Sequence, residues 1–415
     1  MEQLALLLRI PFLNVRKSII QTILSFWEQR PNMPIRRLGG VGGGRGDKVY
    51  RMCSKEFHES VIENSKVVST LVQAMPLLQA DEHLSALLVL EQLTRNSAKN
   101  VESLVGSRGA QLVALLLPEA AKTQIPMLID ILWHCVQHST NCIEQLSART
   151  SISALNMVFE KMMKHAHSKA EKETRNDLLV LLTQLARHNP KAPFVETSFL
   201  NEIISFGCSG DRNLTNSEVD FEFLRMLLTC AVILAEGDSA ALRYVKSTSL
   251  LDYLLLPVQQ LEQAKKETRS LYQWSPSQKE ELQLLSLQLL TKLAPRLKEK
   301  FRDQNGCQLL MSFLFWSFQT DYMGHGNSIL AVGGRGSARA QCRFCLRCIR
   351  SLCTPLEDDD ATSIIEGFVA EGIVDLLLLT LSNVNGIGQE TSESFVYIED
   401  DHIGPAFSRF FMITP

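Results

Sequence analysis

The chain has little of what most function classes require. Aromatic residues make up only 7% of it, leucine dominates the apolar set, and strand-like alternation is nearly missing; this composition disfavours a β-sheet and favours helices. Charge of one sign is also lacking. The 42 Lys+Arg against 45 Asp+Glu leave a net charge of −3, so no global field draws in nucleic acid or an acidic membrane. No apolar run approaches the roughly 18 residues of a membrane helix; Leu376 to Leu379 is the tightest cluster. The opening MEQLALLLRI carries Glu2 and no small-residue cleavage site, so no signal peptide is expected. Ten cysteines are scattered through 415 residues. A chain this long and core-rich has no need of disulfides, which points to a reducing, cytoplasmic setting. There the sequon Asn213-Leu214-Thr215 would go unused.

Motifs that carry chemistry are equally scarce. His58-Glu59 begins like a zinc-protease helix, but position 62 is isoleucine. No nucleophile elbow is present, and no Ser, His and Asp stand out as a set. The stretch Leu38-GGVGGGRGDK lacks the phosphate-loop spacing, and its Arg45-Gly46-Asp47 spells an adhesion tripeptide that an intracellular chain would not use. His134 and His138 lie one helical turn apart beside Trp133 and Cys135, and are read without a carboxylate partner as half-buried helix histidines. His165 and His167 are read as a solvated helix end. The four tryptophans are followed at the fourth position by Pro31, Gln137, Gln278 and Thr320, so no Trp-x-x-x-Asn ladder for nuclear-signal peptides exists. No catalytic residue, no metal ligand and no cofactor site is assigned, and no enzyme is expected.

What is present is helical periodicity, together with 45% apolar residues. Ser275-Pro276-Ser277-Gln278 is a capping box with proline at the first helical position. Leucines on most of the following circumference predict a helix buried between neighbours, ended by Pro295. A small residue followed by a strongly apolar helix recurs from Ser65, Gly109, Ser151, Ser198, Ser249, Gly306 and Gly372. The first spacings match the ~40–47 residues of HEAT and armadillo repeats, and the later ones match if loops are inserted. The small residue is read as permitting a sharp turn between the second and third helix of a unit. An irregular helical bundle is the competing arrangement. The expected fold is therefore all-α, an armadillo/HEAT-like right-handed helical solenoid over residues 1–383. Glycine-rich loops are expected near 39–46 and 324–336, and an irregular tail over 384–415. The acidic run Glu357 to Asp360 is read as a solvated loop.

The sharpest local signal is Cys342, Cys345, Cys348 and Cys353, a spacing that suggests zinc or an iron–sulfur cluster. A helix explains it better. At about 100° per residue the cysteines share an arc with Leu346, Ile349 and Leu352, while Arg343, Arg347 and Arg350 fall on the other side. Cysteine there is a small buried hydrophobe. With Arg335 and Arg339 the arginines form a basic stripe, read either as an ordinary wet face or as a contact for an acidic partner such as a tubulin tail or RNA.

Several segments resemble the cilia- and flagella-associated protein 69 family, armadillo-type proteins of motile cilia and sperm tails. They are Trp274-SPSQKEELQLLSLQLLTKLAP, His325-GNS with Gly333-Gly-Arg-Gly336, Arg175-Asn-Asp-Leu-Leu179, Asn189-PKAPF and Asp220-Phe-Glu-Phe-Leu224. The resemblance runs in order from about residue 1 to about 383. The resemblance implies a non-enzymatic scaffold in the C1b projection of the axonemal central apparatus, needed for flagellum assembly and motility. The implied partners are other central-apparatus proteins and, indirectly, tubulin; no small-molecule substrate, membrane or nucleic acid is implied. The implied location is the cilium and sperm flagellum. The alternative is a soluble armadillo adaptor that binds protein partners in the cytoplasm.

Overall fold

The computed structural model describes residues 2–28, 55–95, 97–208, 214–215, 217–259, 274–322, 334–355 and 361–378. Every regular element among them is a helix. The chain divides into two units, 1–199 and 200–415.

The first unit opens with α1 (Glu2–Leu6) and continues as triads of helices, each beginning with a long one. These are α2 (Leu13–Glu28), α3 (Lys55–Glu63) and α4 (Val67–Ala74); α5 (Ala80–Thr94), α6 (Ala98–Gly106) and α7 (Gly109–Leu116); and α8 (Ile125–His138), α9 (Thr140–Leu146) and α10 (Arg149–His165). The long α11 (Lys169–His188) follows. Each long helix packs on the next, α2 on α5, α5 on α8 and α8 on α11, and α7 packs on α10. Full burial of Val89, Leu90 and Leu93 on α5 and of Leu128, Ile131 and Leu132 on α8 shows how little of these helices faces water. Each such side chain contributes about 1.5–3 kcal/mol.

The second unit begins within α12 (Phe199–Cys208) and repeats the pattern. Its triads are α13 (Glu218–Gly237), α14 (Ser239–Lys246) and α15 (Leu250–Leu255); α16 (Pro276–Leu293), α17 (Lys298–Asp303) and α18 (Gly306–Tyr322); and α19 (Gly334–Cys353), α20 (Thr362–Ala370) and a helical stretch over 373–378. The expected capping box opens α16: Ser275 Oγ accepts from Gln278 N at 3.3 Å, and Gln278 Oε1 accepts from Ser275 N at 3.0 Å. Packed against both α13 and α19, α16 buries Leu282, Leu287, Leu290 and Leu293.

The recurring small residues mark the approach to the third helix, but glycine serves there differently from the sequence-based expectation. Among the described residues the left-handed turn is taken by Arg108 (φ 58°), Ser198 (φ 64°) and Asn305 (φ 55°), and by glycine only at Gly372 (φ 83°). Gly109 and Gly306 are the next residues, already helical, and are small because a neighbour is too close. A Cβ on Gly109 would lie 2.8 Å from the carbonyl oxygen of Leu104, and one on Gly306 would lie 2.6 Å from the buried Phe301 ring. Ser151 lies inside α10 and makes no turn; its Oγ instead donates to Gln145 O at 3.0 Å.

The ends of the third helices carry a signal that the repeat reading missed. α4, α7 and α15 each run into a 3-10 turn centred on proline, Met75–Leu77, Leu117–Glu119 and Leu256–Val258. Proline lacks the N–H that would continue the helix, so the chain leaves in an extended conformation. A second difference concerns the glycine-rich stretch at 324–336: α19 begins at Gly334, so its last three residues are helical. The packing of the rest of α19 on α16 and α18 outweighs the low propensity of one glycine-rich turn. The stretch at 39–46, the run at 357–360 and the tail at 384–415 lie outside the described residues.

Gly109→Ala and Gly306→Ala should each lower stability by about 1–3 kcal/mol, because the added methyl meets a carbonyl or a locked ring. Arg108→Gly should be neutral or stabilising, since it relieves a left-handed arginine. Thermal melts followed by circular dichroism check both, and an unchanged midpoint in either alanine variant would contradict the close-approach reading.

Candidate interaction surface

With their inner faces consumed by packing, the long helices of the first unit leave one stripe each for solvent. On α5 it carries Leu84, Leu88 and Arg95, all exposed, with Glu91 buried beside them. On α8 it carries Asp130, His134 and His138, and on α11 Glu173 and Asp177. These stripes come together as an electrostatically coupled row. Glu91 Oε1 pairs with Arg95 Nε at 3.1 Å, and His134 Nδ1 stands 3.4 Å from Thr94 Oγ1. Burial pushes the Glu91, Asp130 and Asp177 carboxyls up, and each is raised further or held down by its neighbours: Arg95 lowers Glu91, Asp130 raises it, His134 lowers Asp130, and Asp130 and Glu173 raise Asp177. Burial also pushes His134 down, with Asp130 opposing and Arg95 and His138 adding to it. The carboxylate that sequence reading left out beside His134 is thus Asp130, one turn earlier on the same face. The arrangement is a charged surface and holds no nucleophile.

A buried ion pair fixes the start of this surface. Arg16 on α2 meets Glu82 on α5 at 3.2 Å, with Glu82 fully buried. Arg16 also donates to Ile10 O at 2.6 Å and Leu77 O at 2.9 Å, and Glu82 accepts from Gln79 N at 2.8 Å. Such a pair selects one register of α2 against α5 more than it adds stability.

The cysteine run of α19 is helical. Cys345 and Cys348 are fully buried on the side that packs on α16 and α18, while Cys342 and Cys353 are half-buried. Cys345 Sγ donates to Leu310 O at 3.4 Å. Burial holds the Cys345 thiol well above its ordinary range and pushes Cys348 and Cys353 up to about 12. These are neutral thiols in a core. Among the described residues no three His, Cys, Asp or Glu side chains converge as a metal site. His165 and His167 are exposed at the end of α10, and Arg339, Arg343, Arg347 and Arg350 are exposed on α19.

A depression of 350 Å³ lies between α1 and α2, lined by Leu4, Val15 and Ile19. Another of 310 Å³ lies among α12, α14 and α15, where the Cys208 thiol is pushed to about 12 by burial and Tyr244 donates to Asn201 Oδ1 at 2.5 Å. Neither sets a nucleophile beside a base.

The armadillo-repeat model of cilia- and flagella-associated protein 69 matches residues 1–401, beyond the 383 at which the sequence resemblance was read to stop. The chain belongs to that family. Its fold is accordingly an armadillo-type helical repeat. The human protein called cilia- and flagella-associated protein 69 is 28% identical over 407 residues, covering 94% of this chain and 41% of that protein. The mouse protein of the same name is 30% identical over 370 residues, covering 85% and 37%. The chain thus spans about two fifths of the length of the curated relatives it matches. Among solved structures, a designed armadillo repeat protein in complex with the peptide (KR)4 is 14% identical, with a TM-score of 0.44, covering 67% of this chain and 98% of that one.

The family's marker segments do structural work here. Asp220, fully buried at the start of α13, accepts from Thr215 N at 3.0 Å and Thr215 Oγ1 at 2.6 Å. Trp274 packs edge-on to Phe221 with ring centroids 5.2 Å apart. Arg175 is buried and donates to Asn176 Oδ1 at 3.2 Å. Phe194, from the Asn189 segment, packs on Phe199 at 5.5 Å.

Two predictions follow from this geometry. The raised carboxyls bind protons more tightly folded than unfolded, so their contribution is lost as pH rises through their folded values, above about 4. The lowered His134 acts oppositely: stability falls as pH drops below about 6.5, because the unfolded chain takes that proton first. Asp130→Asn should therefore raise the melting temperature more at pH 7.5 than at pH 5; an equal change at both would rule out this cause. Separately, Cys345→Ala should cost about 1 kcal/mol through a small cavity. A strong chelator should leave the wild-type melt unchanged, whereas a drop on chelation would restore the metal reading.

Proposed function

We propose that this chain is a non-enzymatic structural scaffold of motile cilia and sperm flagella, a component of the axonemal central apparatus in its C1b projection, and that it supports flagellum assembly and motility. The observation that carries the scaffold part is the row running from α5 across α8 to α11. Side chains from three successive long helices stand side by side there, which suits gripping a protein partner over several repeats. The ciliary part rests on membership of the family and on the names of its relatives. The proposed partners are other central-apparatus proteins, with tubulin contacted through them.

Tagging the protein in multiciliated cells and in sperm tests this reading. Signal along the axoneme that survives detergent extraction is expected, with cross-links to central-apparatus proteins. A diffuse cytosolic signal with none in the axoneme would favour the soluble adaptor instead.

A further inference from the structure

The row on α5, α8 and α11 differs in chemistry from one end to the other. Its α5 end is apolar and open to water at Leu84 and Leu88, one turn apart. Its α8 and α11 end is anionic, with Asp130, Glu173 and Asp177 all exposed. Two cations of these helices already have partners: Arg95 stands 3.1 Å from Glu91, and Lys169 stands 3.7 Å from Glu173. Asp130 and Asp177 form no ion pair among the described residues. They are close enough for Asp130 to raise the Asp177 carboxyl. Each therefore faces a neighbour of its own sign, and a cation laid across the row would attract both.

The spacing of the helices decides what can reach these points together. Packed helices lie about 8–10 Å apart, axis to axis, and an extended chain rises about 3.3 Å per residue. A strand crossing α5, α8 and α11 thus brings every third residue over the next helix. An apolar side chain over Leu84 and Leu88 is followed by one residue over Asp130 and, three further on, one over Asp177. Those two must be cations, because an acidic or wholly apolar segment would bury carboxylates without a partner. A second copy of the same face, paired about a two-fold axis, would set carboxylates against carboxylates.

We propose that the row binds an extended segment of a protein partner with the pattern apolar-x-x-basic-x-x-basic, its apolar side chain on Leu84 and Leu88 and its two cations on Asp130 and Asp177. This rests on the scaffold reading, in which the row is the gripping surface, and names the chemistry of what is gripped.

Fluorescence anisotropy with the full chain tests it. The probe is a fluorescein-labelled LSSRSSR peptide. LSSRRSS, of the same composition with its cations adjacent, and LSSESSE serve as comparisons. Saturable binding of LSSRSSR is expected at low salt, about fivefold tighter than LSSRRSS, with none of LSSESSE. Asp130→Asn with Asp177→Asn should weaken it about tenfold, and Leu84→Ser with Leu88→Ser about fivefold. All four positions are exposed, and circular dichroism checks that each variant is folded. Equal affinity for LSSRSSR and LSSRRSS would reduce the contact to general charge attraction and overturn the proposal. Unchanged binding by the double asparagine variant, or no saturable binding by the wild type, would overturn it as well. So would self-association, seen by light scattering, that the asparagine variant abolishes, since a second copy would then occupy the face. Absence of axonemal signal in cells would count against the ciliary reading and leave these affinities as they are, so the two failures are separable.

Discussion

No triad in this chain can cover its own apolar surface. α16 shows this most plainly: its leucines point around most of the helix, and it is dry only because α13 lies on one side and α19 on the other. α5 stands in the same relation to α2 and α8. Cohesion therefore comes from neighbours in sequence, and each interface is a local sum of leucine, isoleucine and valine burial. Some of the polar groups in these interfaces are held by backbone bonds, while Ser286 Oγ on α16 and Glu82 Oε1 on α5 are buried without one. Arg16 and Glu82 share three further bonds with backbone, and Asn100 donates to Leu93 O at 2.8 Å from a fully buried position. Removing one member of the Arg16–Glu82 pair would cost several kcal/mol.

Stacking of this kind demands that the chain turn at the same place in every unit. Arg108, Ser198 and Asn305 make the turn left-handed, at a cost of roughly 1–2 kcal/mol each for a residue with a Cβ, whereas Lys66, Ala148 and Ser249 make it with negative φ. The burial of the helix that follows offsets it. The glycines beside two of them allow helices to approach within touching distance of a carbonyl or a ring. Proline then closes three third helices in the same way. Turn chemistry and packing thus agree at each level, which is what a repeat needs if every copy is to fold alike.

Much of this was legible in the residues. Leucine periodicity and the recurring small residue located the third helices, and Ser275 to Gln278 located the start of α16, because both signals are local. The glycines misled in one respect: a small residue at a turn reads as conformational freedom, whereas the need at Gly109 and Gly306 is for space against Leu104 and Phe301, residues whose proximity only the fold reveals. The proline turns were visible as Met-Pro-Leu, Leu-Pro-Glu and Leu-Pro-Val but were too short to register as a repeat. The charged row was hidden for a different reason. Glu91, Asp130 and Asp177 are 39 and 47 residues apart in sequence, and only the stacking of α5, α8 and α11 sets them side by side.

That last point bears on how function is written in such a chain. The repeat consumes the inner positions of every helix, and it fixes which outer positions become neighbours, but it leaves their chemistry free. Asp130 sits at a stripe position where leucine or lysine would fold as well, and burial in the row raises its pKa at some expense to stability. On α19 the buried positions are Cys345, Cys348 and Leu352, while the arginines lie on the exposed side. Side chains on the outer stripes of the long helices can therefore change without disturbing the leucines beneath.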